Sequence, residues 1–359
     1  MRSGMDLKKQ DLLIGMNDRV LVTGAGGFIG VNVVANLVEK GVRNIRCLVR
    51  HSTDLSRLRA VQEKLANPAQ LQIISGNLLS TDDCVAAAEN VTVIYHLAAG
   101  TGIKSFSESY LNSVVATRNL LEAALQHSQL RRFVNLSSFA VYSSRNQPGG
   151  IMDERWPLEE HPESRAEAYC YAKVKQDELV MEYGKNRGLP YVLLRPGNVY
   201  GPGKRAIPGR VGIDSFGVFL HLGGSNKIPF TFVDNCAEAI VLAGLTKGID
   251  GEAFNILDDN LPSSREFLRN YKREVRQFRS IYLPQPLSYL FCFLWEKYSQ
   301  WSAGQLPALL SRAEWAAFWK PMRFTNQKLK NRLGWTPKIS TEKGMQVFFE
   351  SCRQNTKHA

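Results

Sequence analysis

Between Arg19 and about Arg195, short β-branched or leucine-rich runs alternate with stretches of helical periodicity, the pattern of βαβ units feeding a parallel sheet. Six strands are predicted, over Arg19–Thr23, Ile45–Val49, Leu71–Ile74, Val91–Tyr95, Phe133–Leu136 and Tyr191–Leu194. Helical spacing of the apolar residues between them predicts helices over Ile29–Lys40, Thr81–Glu89, Glu108–Gln126 and Ala166–Lys185. These segments together predict an α/β fold with a doubly wound parallel sheet. Past Gly201 the regularity fails: Gly and Pro punctuate residues 201–229, and irregular helix and strand patterns follow to the end. The expected organisation is an N-terminal tail over 1–17, a sheet domain over 18–200, and a smaller C-terminal α/β lobe over 201–359, some of whose segments return to the first domain.

Composition permits this and narrows little else. With 44% hydrophobic and 22% charged residues in 359, the chain can bury a sizeable core and is not disordered. The 45 Lys and Arg outnumber 33 Asp and Glu, for a net charge of +12, but the basic residues are scattered and no nucleic-acid site is read from them. The closest cysteines, Cys47 and Cys84, are 37 residues apart, so no CxxC metal or redox pair exists and no metal site is expected. Reduced thiols and a cytoplasmic setting fit. Met1–Asn17 holds no sustained apolar run, so no signal peptide or anchor helix is readable. Ile281–Trp295 is apolar but carries Pro284 and Pro286, and its unbroken part falls far below the ~18–20 residues that span a bilayer.

The first chemistry appears where the first predicted strand ends, in Thr23-Gly24-Ala25-Gly26-Gly27-Phe28-Ile29-Gly30, directly before an apolar helix. A strand, a glycine turn and a helix N-terminus present free backbone N–H groups and a positive dipole end to a pyrophosphate. Gly24 and Gly27 would let the backbone approach such a group, and Gly30 would let the helix pack on the strand. A Rossmann-type dinucleotide site is therefore expected in residues 18–200. The second strand should end beside the adenosine ribose, where an acid favours a 2′-hydroxyl and an arginine a 2′-phosphate. It ends in Val49-Arg50, with Arg57 to assist, so NADP(H) is expected over NAD(H), although Asp54 keeps NAD(H) in play.

Further motifs carry a resemblance: His96-Leu97-Ala98-Ala99, Asn112, Ser137-Ser138-x-x-Val141-Tyr142, Tyr169-x-x-x-Lys173, Arg195-Pro196-x-Asn198-Val199-Tyr200-Gly201-Pro202-Gly203 and Phe232-Val233-Asp234-Asn235. With the glycine turn, these resemble the extended short-chain dehydrogenase/reductases, the NAD-dependent epimerase/dehydratase family. The resemblance implies a cofactor lined by Gly24, Gly27, Phe28, Ile29, Gly30, Arg50, Asn77, Leu78, Leu97, Ala98, Ala99, Tyr169, Lys173, Pro196, Asn198 and Val199. It implies Ser138, Tyr169, Lys173 and Asn112 as catalytic residues, and a homodimer formed through the helices near 108–126 and 166–185.

The chemistry explains the spacing. Tyr169 and Lys173, at i and i+4, lie on one helix face, where a nearby ammonium would lower the phenol's pKa from about 10 toward neutrality. Tyr169 would then serve as general acid or base while hydride passes between a substrate carbon and the nicotinamide. Tyr171 and Lys175 repeat the spacing but point to another side, and read as an ordinary exposed pair. Ser137 competes with Ser138 for the substrate oxygen; Ser138 stands in the family's frame before Val141-Tyr142.

Family dehydratases carry an acidic pair directly after the Ser or Thr, where this chain has Phe139-Ala140. Nucleotide-sugar members carry an Arg before the final strand motif, where this chain has Ile228, with Lys204, Arg205, Arg210 or Lys227 as substitutes. The Pro229-Phe230-Thr231-Phe232-Val233-Asp234-Asn235 stretch resembles 3β-hydroxysteroid and sterol-dehydrogenase-like members. Aromatic residues at 289, 291, 293, 295, 298 and 301 would wall a bulky small-molecule substrate, form a membrane-touching surface over 281–301, or simply fill the core of the lobe. The resulting expectation is an NADP(H)-preferring oxidoreductase interconverting a secondary alcohol and a ketone of a hydrophobic or cyclic, sterol-like substrate. The alternatives are a nucleotide-sugar 4-epimerase with retained NAD and a non-catalytic dinucleotide sensor.

Overall fold

Seven strands whose side chains are mostly buried on both faces build the central sheet: β1 (Val20–Thr23), β2 (Ile45–Val49), β3 (Leu71–Ser75), β4 (Val93–His96), β5 (Arg132–Leu136), β6 (Tyr191–Pro196) and β7 (Glu252–Ile256). The order is β7-β6-β5-β4-β1-β2-β3 and every pairing is parallel. Strands buried on both faces need cover on both, which explains their near-continuous apolar runs. The computed structural model describes residues 12–15, 17–100, 105–145, 150–165, 167–204, 207–215, 217–302, 305 and 310–356.

One face is covered by α1 (Phe28–Glu39), and the other by α2 (Thr81–Ala88), α3 (Ala116–Leu125) and α4 (Ala168–Arg187). Helix α5 (Val233–Leu245), from the later part of the chain, packs beside α1 on the first face. The predicted helix Glu108–Gln126 forms in three parts, with a π turn over Leu111–Val115 between Phe106–Tyr110 and α3. The seventh strand, reading Glu-Ala-Phe-Asn-Ile, lacks the β-branched signature of the others and was outside the predicted six. Of the predicted tail, Leu13 donates its N–H to the Leu245 carbonyl at 2.8 Å and Ile14 is buried; residues 1–11 and 16 lie outside the described residues.

Two polar clasps tie late segments to the sheet. Arg132, fully buried on β5, donates to Asp250 at 2.8 and 3.0 Å and to the carbonyls of Ala243 and Thr246. Asn235 on α5 donates to Asp258 at 2.9 Å and to the Ile339 carbonyl at 2.8 Å, and accepts from the Ile339 N–H at 3.0 Å. Helices α6 (Ser264–Glu274) and α7 (Gln285–Trp301), a three-stranded sheet and two strand pairs lie outside the central sheet. All six cysteines are free and buried. Among the described residues no helix is long and apolar enough to cross a membrane.

Candidate active site

The carboxyl ends of β1, β2 and β4 open onto a cleft of about 660 Å³ at the point where strand order reverses, the place where doubly wound sheets bind ligands. Its floor is the glycine turn. Gly24 is left-handed at φ +68°, and a Cβ there would stand 2.9 Å from the Ala98 N; at Gly30 a Cβ would stand 2.1 Å from the Gly24 carbonyl oxygen. Gly27 caps α1 without any side-chain acceptor, so the N–H groups of that first turn face the cleft unmasked by a side chain. The cradle fits a dinucleotide pyrophosphate.

Gly24, Gly27, Phe28, Ile29, Gly30, Arg50, Asn77, Leu78, Leu97, Ala98, Ala99, Asn112, Ser138, Tyr169, Lys173, Pro196 and Val199 all line this cleft. Asn198 does not; it lines a second cavity of about 270 Å³, because its short strand Asn198–Tyr200 runs away beside Phe230–Phe232. Ser52 and Thr53 also line the cleft and were absent from the sequence expectation; Lys204, expected only as a substitute substrate anchor, lines it too. Their signal was present but weak: two small hydroxyl residues following Arg50, and a lysine after the Gly201-Pro202-Gly203 turn. Lys204 Nζ stands 5.2 Å over the Phe28 ring. Asp54 is turned from the cleft, its carboxylate accepting from the Ser56 N–H at 2.9 Å and from the Ser56 hydroxyl at 3.0 Å.

Ser138 and Tyr169 belong to the walls of both cavities, with the Ser138 hydroxyl close enough to favour the ionised form of the phenol. Ser137 lines the first cleft too, but its hydroxyl donates inward to the buried Asp177 at 2.7 Å. Lys173 Nζ donates to the Leu136 carbonyl at 2.6 Å and to Gln176 Oε1 at 2.8 Å. The expected pull of Lys173 on the phenol is not what governs it. Burial pushes Tyr169 up to about 12, the nearby Ser138 hydroxyl works against this, and Glu167, Asp177 and Cys170 add to the rise. Burial also pushes Lys173 down to about 8, against the attraction of Asp177. Ser138, rather than the Lys173 ammonium, is the group that favours the ionised phenol here.

A relay extends inward from Lys173. Gln176 Nε2 donates to the Thr117 hydroxyl at 2.7 Å, Thr117 meets His96 Nε2 at 2.8 Å, and His96 Nδ1 meets the Thr23 hydroxyl at 2.8 Å. The repeated motif separates as spacing requires: Lys175 pairs with Glu178 at 2.8 Å and Tyr171 packs against Phe106 and Tyr110, both half-buried rather than fully exposed. Asn112 sits on the π turn and donates to the Glu108 carbonyl at 2.8 Å. Tyr142 is buried and donates to Asn255 at 2.6 Å.

The second cavity is lined by Arg165, Glu167, Arg210, Ser143, Ser144 and Phe318 around Ser138 and Tyr169. Arg165 is buried, pairs with Glu167 at 2.8 Å, and keeps an Nε with no partner among the described residues. Burial, aided by Arg165, pushes the Arg210 guanidinium down to about 10. Arg165 had no sequence motif to mark it. The aromatic residues expected to wall a substrate, 289 to 301, line neither cavity and lie on α7.

The sequence profile described as the NAD dependent epimerase/dehydratase family matches residues 20–256. The chain belongs to that family. It is 31% identical over 252 residues to the Arabidopsis thaliana trifunctional UDP-glucose 4,6-dehydratase/UDP-4-keto-6-deoxy-D-glucose 3,5-epimerase/UDP-4-keto-L-rhamnose-reductase, a match covering 66% of this chain and 36% of that protein. The chain thus spans about a third of the length of such plant relatives. It is 27% identical to the human dTDP-D-glucose 4,6-dehydratase over 254 residues, 67% of this chain and 69% of that one. Among solved structures, the Bacillus cereus UDP-glucuronic acid 4-epimerase in complex with UDP-glucuronic acid and NAD superposes with a TM-score of 0.70 at 22% identity, covering 94% of this chain and 99% of that one. The Bacillus anthracis dTDP-glucose 4,6-dehydratase in complex with NAD gives 0.68 at 21%, covering 94% and 97%. The relatives and structural neighbours named here are nucleotide-sugar dehydratases and epimerases; a special closeness to sterol dehydrogenases does not emerge.

Proposed function

We propose that the chain interconverts a secondary alcohol and a ketone on a negatively charged, sugar-nucleotide-like substrate, as an oxidoreductase or 4-epimerase. The observation that carries this reading is the placement of Ser138 and Tyr169 together on the wall shared by the dinucleotide cleft and the second cavity. A bound nicotinamide dinucleotide would supply or accept the hydride. Ser138 would hold the reacting oxygen, and Tyr169 would give it a proton on reduction and take one on oxidation. Lys173 would hold the ribose side of the cleft, and Asn112 its neighbouring wall.

Two guanidinium groups against one carboxylate, Glu167, leave the second cavity with surplus positive charge and an unpartnered donor. Buried positive charge of this kind is stabilised by an anion such as a diphosphate or carboxylate, and works against a sterol. Dehydration is disfavoured because Phe139 and Ala140 supply neither acid nor base after Ser138. Arg50 at the tip of β2, with Asp54 engaged by Ser56, supports NADP(H) as the preferred coenzyme. The structural neighbours named above are bound to NAD, so both coenzymes belong in the test.

The test is turnover of UDP-glucuronic acid and UDP-glucose with each coenzyme, following product epimers and reduced coenzyme. Tyr169→Phe should lower the rate on the order of 10²-fold while retaining coenzyme binding, and Arg210→Ala should raise KM. Unchanged turnover in Tyr169→Phe overturns the catalytic reading; an unchanged KM in Arg210→Ala overturns the anionic substrate; equal coenzyme affinities overturn the NADP(H) preference.

A further inference from the structure

Helix α7 is built inside out. It turns Ser288, Cys292 and Ser299 toward the protein, with the Ser288 hydroxyl accepting from Trp315 Nε1 at 2.9 Å. Leu287, Leu290, Phe291, Leu294, Tyr298 and Trp301 are exposed, Leu294 to 56% and Trp301 to 79%. At 3.6 residues per turn these six fall within an arc of about 100°. A soluble helix with this composition normally points such a stripe inward. Tyr298 and Trp301 stack at the end of the stripe, with ring centroids 5.7 Å apart, and are residue types that favour a membrane–water boundary. The strand Ser280–Tyr282 leading into the helix adds exposed Ile281 and Tyr282.

Charge lies beside the apolar stripe. Residues 264–282 hold six basic side chains, Arg265, Arg269, Lys272, Arg273, Arg276 and Arg279, against two acidic ones, Glu266 and Glu274. Helix α6 buries Phe267, Leu268 and Tyr271, leaving Arg265, Arg269 and Arg273 on its exposed side, with exposed Arg276 just past its end. This basic face touches the strand before α7: the Arg265 guanidinium lies 5.2 Å over the Tyr282 ring and Lys272 donates to Ser280 at 2.6 Å. An apolar helical stripe with flanking basic residues is the arrangement that rests in the interface of an anionic bilayer without crossing it. We infer that α7 and the adjoining basic face of α6 dock this protein peripherally on an anionic lipid surface.

The experiment is co-sedimentation of the full chain, loaded with coenzyme, with vesicles of phosphatidylcholine or of equimolar phosphatidylcholine and phosphatidylglycerol at low ionic strength. Binding should be confined largely to the anionic vesicles and should weaken with added salt. The double substitution Leu290→Ser with Leu294→Ser should reduce binding by ~10-fold or more. Arg269→Gln should reduce it about 5-fold, the equivalent of ~1 kcal/mol per basic residue near the surface. Coenzyme titration in solution should be unchanged in both variants, which shows them folded. Wild-type protein left in the supernatant with both vesicles, or equal binding by wild type and the leucine variant, overturns the inference. So does a wild-type dimer that ignores vesicles and dissociates in the leucine variant, which would make a second copy of the chain the occupant of the stripe.

Discussion

At the scale of single residues, Lys173 and His96 are held by one buried relay, and burial biases both toward their neutral forms. Lys173, pushed down to about 8, keeps its ammonium at neutral pH and loses it as the medium becomes mildly alkaline. Since the proposed role of Lys173 needs the charge, kcat/KM should fall above pH about 8 in wild type, and Lys173→Met should give a low, flat profile over that limb. An alkaline limb of the same position and depth in the variant would remove Lys173 from the mechanism. His96 makes a stability prediction of definite sign. Burial, with help from Lys173, pushes it down to about 3 from 6.5. Between those values the unfolded chain binds a proton that the folded one does not, so the contribution of His96 to stability is lost as pH falls below 6.5. The slope is up to about 1.4 kcal/mol per pH unit. Denaturant unfolding at pH 7 and pH 5 should therefore cost wild type roughly 2 kcal/mol more than His96→Gln. Identical slopes would show that the imidazole already has a way to accept the proton in the fold.

At the scale of elements, the glycine turn couples packing to the proposed coenzyme binding at one residue. A methyl group at Gly30 would meet the Gly24 carbonyl at 2.1 Å and the Ala25 Cα at 2.8 Å, both backbone atoms that cannot swing aside. Gly30→Ala should lift α1 off β1, cost about 1–3 kcal/mol of unfolding free energy, and weaken coenzyme binding at least ~10-fold; undiminished affinity by fluorescence titration would mean that the turn is not the pyrophosphate cradle. That turn was legible because glycine spacing, strand and helix all fell in one continuous stretch. The six predicted strands were legible for a related reason: burial on both faces leaves long apolar runs. Strand β7 was not, because Glu252 and Asn255 interrupt its pattern and its partner β6 lies about 60 residues earlier. The π turn at Asn112 leaves no mark in hydrophobic periodicity. At the site, Tyr169 and Ser138 were legible from motif frame, whereas the direction of the phenol's pKa was not. It depends on where Lys173 Nζ points, and that is set by the Leu136 carbonyl and Gln176.

At the scale of the whole molecule, the Phe232-Val233-Asp234-Asn235 motif that marks the family serves here as a junction. The Phe232 N–H donates to Asp258 at 2.7 Å, Asn235 reaches both Asp258 and the backbone of Ile339, and the Thr341–Thr356 helix follows directly. Three segments far apart in the chain thus meet on one carboxamide: the start of α5, the end of β7 and the approach to the last helix. Burial pushes the Asp258 carboxyl up to about 6, while the bonds from Asn235, Phe232 and Tyr200 work to keep it ionised. Removing the carboxamide leaves a buried carboxylate short of a donor and the Ile339 peptide short of both its partners. Asn235→Ala should therefore cost about 1–3 kcal/mol of unfolding free energy. Hydrogen exchange should rise selectively over Thr341–Thr356, because that helix loses its tie while the sheet keeps its own hydrogen bonds. Coenzyme affinity should stay near the wild-type value, since Asn235 lines neither cavity. Exchange that rises evenly across the sheet would instead mean that the C-terminal segment and the dinucleotide domain unfold as one unit, with Asn235 contributing only to the global core.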